Sequence, residues 1–148
     1  MDFISNSIEE TEKIAKKFLS LLSSKSEVTV IGLKGDLGSG KTAFTKCLAK
    51  ILGIKEEITS PTFVIRKSYG ISKSYKIKAK SWKQLIHIDA YRLKNGEELL
   101  NLEFKKDLEK KENLIIIEWS EIVSEILPPH TLYVQCEFID EYTRKFTF

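Results

Sequence analysis

Cysteine is nearly absent from this 148-residue chain, which carries only Cys47 and Cys136. Cys47 falls on the inward face of a predicted helix and Cys136 inside a predicted strand, so neither has the look of a metal ligand or of a disulfide partner. A reducing cytoplasm is expected. No apolar run approaches the ~20 residues that a membrane-spanning helix needs. Met1-Asp2-Phe3-Ile4 lacks the basic start and apolar core of a secretory signal, so no membrane association is expected. Neither sign of charge dominates: 24 Lys and Arg stand against 21 Asp and Glu, and a net charge of +3 is too mild to diagnose a nucleic-acid partner. Internal repeats and low-complexity linkers are missing as well. With 42% hydrophobic residues the chain can bury one good core, and residues 1–148 are expected to form a single domain.

What the chain does have is Gly35-Asp36-Leu37-Gly38-Ser39-Gly40-Lys41-Thr42, which fits the phosphate-binding pattern G-x-x-x-x-G-K-[ST] at every fixed position. The β-branched run Val28-Thr29-Val30-Ile31-Gly32-Leu33 before it reads as a buried parallel strand. After it, Ala43, Phe44, Cys47, Leu48, Ile51 and Leu52 recur at helical spacing, and Gly53 stands where a helix would end. Strand, glycine loop and helix form the context such a motif needs. Glycines let backbone wrap a phosphate, while the free N–H groups and dipole of the helix favour negative charge. Asp36, Leu37, Gly38, Ser39, Gly40, Lys41, Thr42 and Ala43 are therefore the candidate nucleotide-binding residues. Lys41 is expected to meet the β- and γ-phosphates, and the Thr42 hydroxyl to be a ligand of the accompanying Mg²⁺.

Ser7 and Glu10 have capping-box spacing and open an amphipathic helix with Ile8, Thr11, Ala15, Phe18, Leu19 and Leu22 on one face. Beyond Gly53, Pro61 forces an extended entry into a strand through Phe63-Val64-Ile65. A switch loop sensing the γ-phosphate would fall here, with the hydroxyl of Thr62 or Thr59 available to the metal; solvent-facing threonines beside a proline turn are the other reading. Residues 66–83 contain seven Lys and Arg and no acid. They read either as a lysine-protected hairpin at a sheet edge or as a surface that meets RNA phosphate or an acidic partner. Gln84 to Asp89 and Leu114 to Glu118 are two apolar runs that each deliver a carboxylate to a strand end. Asp89 resembles the acid that holds Mg²⁺ in such proteins, although a helix cap is its plainer role. His87, two residues before it, reads as structural. A helical segment spans Gly96 to Leu108, a short helix Glu121 to Ile126 stops at Pro128-Pro129, and Thr131 to Phe138 and Arg144 to Phe148 read as closing strands. The fold class expected is α/β: a three-layer P-loop NTPase domain with a mainly parallel sheet and an antiparallel edge.

Four segments together resemble the TsaE family of small bacterial P-loop ATPases, needed for threonylcarbamoyl modification of the adenosine beside the anticodon of certain tRNAs. They are Gly-Asp-Leu-Gly-Ser-Gly-Lys-Thr at 35–42, Ser-Pro-Thr-Phe at 60–63, His-Ile-Asp-Ala-Tyr-Arg-Leu at 87–93 and Ile-Glu-Trp at 117–119. The resemblance implies ATP and Mg²⁺ held by Lys41, Thr42 and Asp89, and a switch loop around Thr62. It further implies that Glu118 lies beside the γ-phosphate and metal, with Trp119 near the nucleotide. Candidate catalytic residues are then Glu118 and Lys41; candidate metal ligands are Thr42, Asp89, Thr62 and Glu118. Weak hydrolysis that becomes productive with the TsaD and TsaB proteins is implied as well. Two departures stand out: a long basic insert from about Ile71 to Lys83, and Asn101-Leu102-Glu103-Phe104 where the family tends to have a Leu-Gly pair.

Two rivals remain open. A small-molecule kinase usually has a mobile arginine lid, and this chain has only Arg66, Arg92 and Arg144. A nucleotide-gated assembly module would bind ATP with incidental turnover. The absence of an Asn-Lys-x-Asp segment favours adenine over guanine.

Overall fold

The computed structural model describes residues 1–22, 27–59, 65–72 and 82–148. In chain order these form β1 (Asp2–Ser5), α1 (Ile8–Leu21), β2 (Thr29–Lys34), α2 (Lys41–Ile51), β3 (Arg66–Gly70), β4 (Gln84–Asp89), α3 (Gly96–Leu100), α4 (Phe104–Leu108), β5 (Asn113–Glu118), a 3-10 helix (Ser120–Ile126), β6 (Leu132–Phe138) and β7 (Arg144–Thr147). The strands join one sheet in the order β1-β7-β6-β2-β5-β4-β3. Its centre, β6-β2-β5-β4, is parallel, and both margins are antiparallel. The expected three-layer arrangement is present, with two antiparallel edges rather than one.

Alternation along the central strands sends side chains to two cores. Leu85, Leu114, Ile116, Ile31 and Leu33 pack with α1 and α2 on one face. Ile86, Ile88, Ile115 and Ile117 pack with Leu99, Phe104 and Val123 on the other. Leu114 through Ile117 are wholly buried, and each such side chain contributes about 1.5–3 kcal/mol. That burial is why β5 sits in mid-sheet, flanked by β2 and β4. The same placement carries Glu118 into the interior.

Ser7 caps α1 by accepting from the Glu10 N–H at 3.1 Å. The Glu10 carboxylate reaches the N–H of Asn6 at 2.6 Å, one residue beyond a reciprocal capping box. Ile8, expected on the inward face, is exposed because it opens the first turn before the helix meets the sheet. The segment 96–108 is not one helix. It breaks at 101–103, where Glu103 takes φ +50°, a left-handed conformation no helix interior accepts. This is where the family resemblance places a Leu-Gly pair. Leu102, expected on the apolar side, is consequently turned outward. The short helix after Trp119 is 3-10 and kinks at Val123.

β1 has no counterpart in the expectations; it pairs with β7, and Phe3 stacks on Phe148 at 4.7 Å. Of the strand expected through Phe63-Val64-Ile65 only Ile65 is described, in a bend before β3 with its carbonyl accepting from the Asp89 N–H at 2.9 Å; most of the basic insert, including Lys73, Lys76, Lys78 and Lys80, lies outside the described residues. Among those described, Gly70 closes β3. Arg66 holds Asp107 of α4 through two hydrogen bonds of 2.7 and 2.6 Å, so this cation is committed to the fold. No helix among the described residues is long and apolar enough to cross a membrane.

Candidate functional site

The glycine loop leaves β2 at Gly35, whose φ of +138° and position against β6 admit no other residue: a Cβ there would run into the Cys136 carbonyl oxygen. Ser39 closes the turn with its N–H on the Asp36 carbonyl at 3.1 Å. Gly40 adopts φ +101° and starts α2 with no side chain capping it. The first N–H groups of α2 therefore face the loop mouth, the arrangement that draws an anion. On the far side the guanidinium of Arg144, on β7, donates to the Gly38 carbonyl at 2.8 Å. Leu37 stands 79% exposed at the tip, beside the exposed Asp36.

Lys41 folds its ammonium back into the loop. It donates to Gly35 O at 2.5 Å, Asp36 O at 2.8 Å and Ser39 Oγ at 3.2 Å, using all three of its hydrogens. Its Nζ also lies 4.0 Å from the centre of the Trp119 ring. Burial pushes this lysine below its ordinary pKa, while the nearby Glu118, Glu121 and Asp36 pull it up.

Glu118 forms the hub. It is only 2% exposed, and a carboxylate withdrawn from water is costly unless its oxygens are bonded. Both are. Thr42 Oγ1 donates to Oε1 at 2.6 Å, and His87 Nε2 lies 2.6 Å from Oε2. Glu118 does not cap the helix that follows: the 3-10 helix has no side-chain cap. Asp89 stands beside Glu118 in register at the end of β4. Its Oδ1 accepts from the Tyr91 N–H at 3.0 Å, so the local turn uses one oxygen. Trp119 has φ +58°, an outlier for a bulky residue and the kind of strain that concentrates at sites. Its ring leans on Tyr91 with centroids 4.9 Å apart.

The structure thus brings Lys41, Thr42, Glu118, Trp119 and Asp89 to one end of the sheet. Thr62 lies outside the described residues, and Thr59 is exposed at their margin. Two cavities flank the loop. One of about 600 Å³ is lined by Asp36, Leu37, Glu121, Cys136 and Phe138; another of about 340 Å³ by Gly38, Gly40, Ala43, Asn6, Tyr142 and Arg144. Arg144 and Asn6 carried no signal in the sequence, because they reach the loop only through the pairing of β7 with β6 and of β1 with β7. His87 carried one: it shares a strand face with Asp89. Among the described residues no three of His, Cys, Asp or Glu cluster as a self-sufficient metal centre.

Strand order, glycine loop and strand-end acids define the P-loop NTPase fold class. The family model described as "Threonylcarbamoyl adenosine biosynthesis protein TsaE" matches residues 5–146. The chain belongs to the TsaE family, and its place is in tRNA threonylcarbamoyladenosine biosynthesis. It is 38% identical over 142 residues to the tRNA threonylcarbamoyladenosine biosynthesis protein TsaE of Rickettsia felis, covering 95% of this chain and 75% of that one. The protein of the same name from Bacillus subtilis is 33% identical over 142 residues, covering 95% and 79%. The crystal structure of Bacillus subtilis YdiB superposes with a TM-score of 0.70 at 27% identity, covering 99% of this chain and 82% of that one.

Proposed function

We propose that residues 1–148 act as one cytoplasmic domain that binds ATP with Mg²⁺ and hydrolyses it weakly. Turnover becomes productive when TsaD and TsaB proteins are bound, and it drives a conformational step in modifying the adenosine beside the tRNA anticodon. The observation that carries this reading is the 2.6 Å contact between Thr42 and Glu118, which ties the phosphate loop to a buried acid.

The residues suit the group they are assigned. Thr42, Asp89 and Glu118 offer hard oxygen donors, and an ion that keeps water and phosphate ligands needs only one or two protein carboxylates. Mg²⁺, when bound, neutralises charge on the β- and γ-phosphates. Lys41 exchanges its three internal acceptors for phosphate oxygens, a trade of hydrogen bonds rather than a net loss of them. Glu118 orients and polarises the attacking water. The cleft of Asn6, Ala43, Tyr142 and Arg144 beside the loop would receive the nucleoside.

The test is ATP hydrolysis by the purified chain, alone and with TsaD and TsaB. Turnover that rises with the partners is expected. ATP binding without partner-stimulated turnover would replace this reading with that of a nucleotide-gated assembly module.

A further inference from the structure

His87 is buried at 0% exposure on β4, and the hydrolytic reading assigns it no task. Its Nε2 lies 2.6 Å from Glu118 Oε2, while its Nδ1 has no hydrogen-bond partner among the described residues. Packing alone does not account for an imidazole at this position. Leu85 on the same face is also fully buried and wholly apolar, and a phenylalanine or leucine at 87 would avoid leaving a ring nitrogen unbonded. What the imidazole adds is one N–H directed at the acid.

An ionised carboxylate only accepts hydrogen bonds. The proton between His87 and Glu118 therefore sits on Nε2; a ring protonated on Nδ1 alone would set lone pairs against each other across 2.6 Å. The terminal torsion of a glutamate is broad and weakly held by its own chemistry. With Oε2 fixed by the ring, the carboxylate plane is set and Oε1 alone is turned toward Thr42.

We propose that His87 is a positioning residue for the hydrolytic step: its Nε2–H pins Oε2 of Glu118, so that Oε1 faces the phosphate loop in one orientation. The inference rests on the ATPase reading above. Outer donors of this kind are typically worth about 10- to 100-fold in activity.

The experiment compares His87→Phe, which fills the space without a donor, with His87→Gln, whose amide N–H extends toward the Nε2 position. Partner-stimulated kcat, KM for ATP and thermal melting are measured for both, in the wild-type and Glu118→Gln backgrounds. His87→Phe is expected to lower kcat about 10- to 100-fold with KM little changed, His87→Gln to recover most of that loss, and Glu118→Gln to suffer little further loss from either. Where His87→Phe does not fold, His87→Asn, which keeps a polar group but stops short of Glu118, takes its place. A separate readout needs no turnover. Nitrogen NMR of the chain, with His130 replaced by Gln so that one of its two histidines remains, is expected to show a proton on Nε2 and a change on Glu118→Gln.

Unchanged kcat in the donor-free variants, an equal further loss in the Glu118→Gln background, or an Nδ1–H tautomer each overturns the inference. A wild-type chain that neither binds nor hydrolyses ATP with its partners present overturns the ATPase reading instead, and the two failures are thereby distinguished.

Discussion

The ends of β4 and β5 look alike in sequence, each an apolar run closing on an acid, and they lie side by side in register. Their surroundings differ. β5 is buried along its whole length between two parallel neighbours, so Glu118 is buried with it and bonded through both oxygens. β4 borders the antiparallel edge strand β3, and Asp89 is half-buried with one oxygen on the Tyr91 N–H. Position in the sheet, rather than the local pattern, separates an acid held rigidly against the loop from one at a more open strand end.

Glu118→Gln tests that contrast most severely. Turnover is expected to fall about 10²-fold, the scale of a lost general base, while ATP still binds. Melting should drop modestly, because the amide keeps one acceptor oxygen where the carboxylate offered two. Near-normal turnover in the presence of partners would remove the distinction between the two acids. Asp89→Asn keeps an oxygen for Tyr91 and loses only charge, so the fold should be retained and the Mg²⁺ concentration for half-maximal turnover should rise several-fold. A metal titration that does not move would make Asp89 purely structural.

Backbone strain offers a smaller comparison. Trp119 and Glu103 are the non-glycine residues with positive φ among those described, one against Lys41 and the other exposed between α3 and α4. Glu103→Gly relieves the strain while removing a side chain that faces solvent, and should stabilise the chain by about 1 kcal/mol, read as a higher urea midpoint at unchanged slope. No gain would mean that the Glu103 side chain compensates for its own backbone. The smallest effect concerns the thiols. Burial pushes Cys47 up to about 11 and Cys136 up to about 12, so at pH 7–8 neither should react with a disulfide reagent until the protein unfolds. Rapid native labelling of Cys136 would show the loop side of β6 to be open.

Elements whose cause is local were legible in the sequence: β2, the glycine loop, α2 and β5 are each announced by their own residue pattern. The capped start of α1 was legible too, to within one hydrogen bond. β1 was not, since four residues with one half-buried phenylalanine become a strand only because β7 offers an edge. The break at Glu103 hid because its neighbours Leu102 and Phe104 continue an apolar pattern that the backbone does not follow. At the site, Lys41, Thr42, Asp89 and Glu118 follow from motif and strand ends. The bond from His87 to Glu118 depends on the register of β4 against β5, which no single strand encodes.

The pairing of β1 with β7 has a consequence for synthesis. Asp2 meets Thr147, 145 residues further along, and among the described strands β1 lies on β7 alone. While the chain is being made, β1 emerges before the other strands of the sheet and waits through their synthesis until its partner appears. Closing so long a loop costs only slightly more entropy than closing a shorter one, so the delay is a matter of order rather than of stability. That margin of the sheet can assemble only after the parallel centre has been made. Because β7 also carries Arg144, the Gly38 carbonyl gains its guanidinium partner only then, and the phosphate loop is completed well after its own residues have emerged.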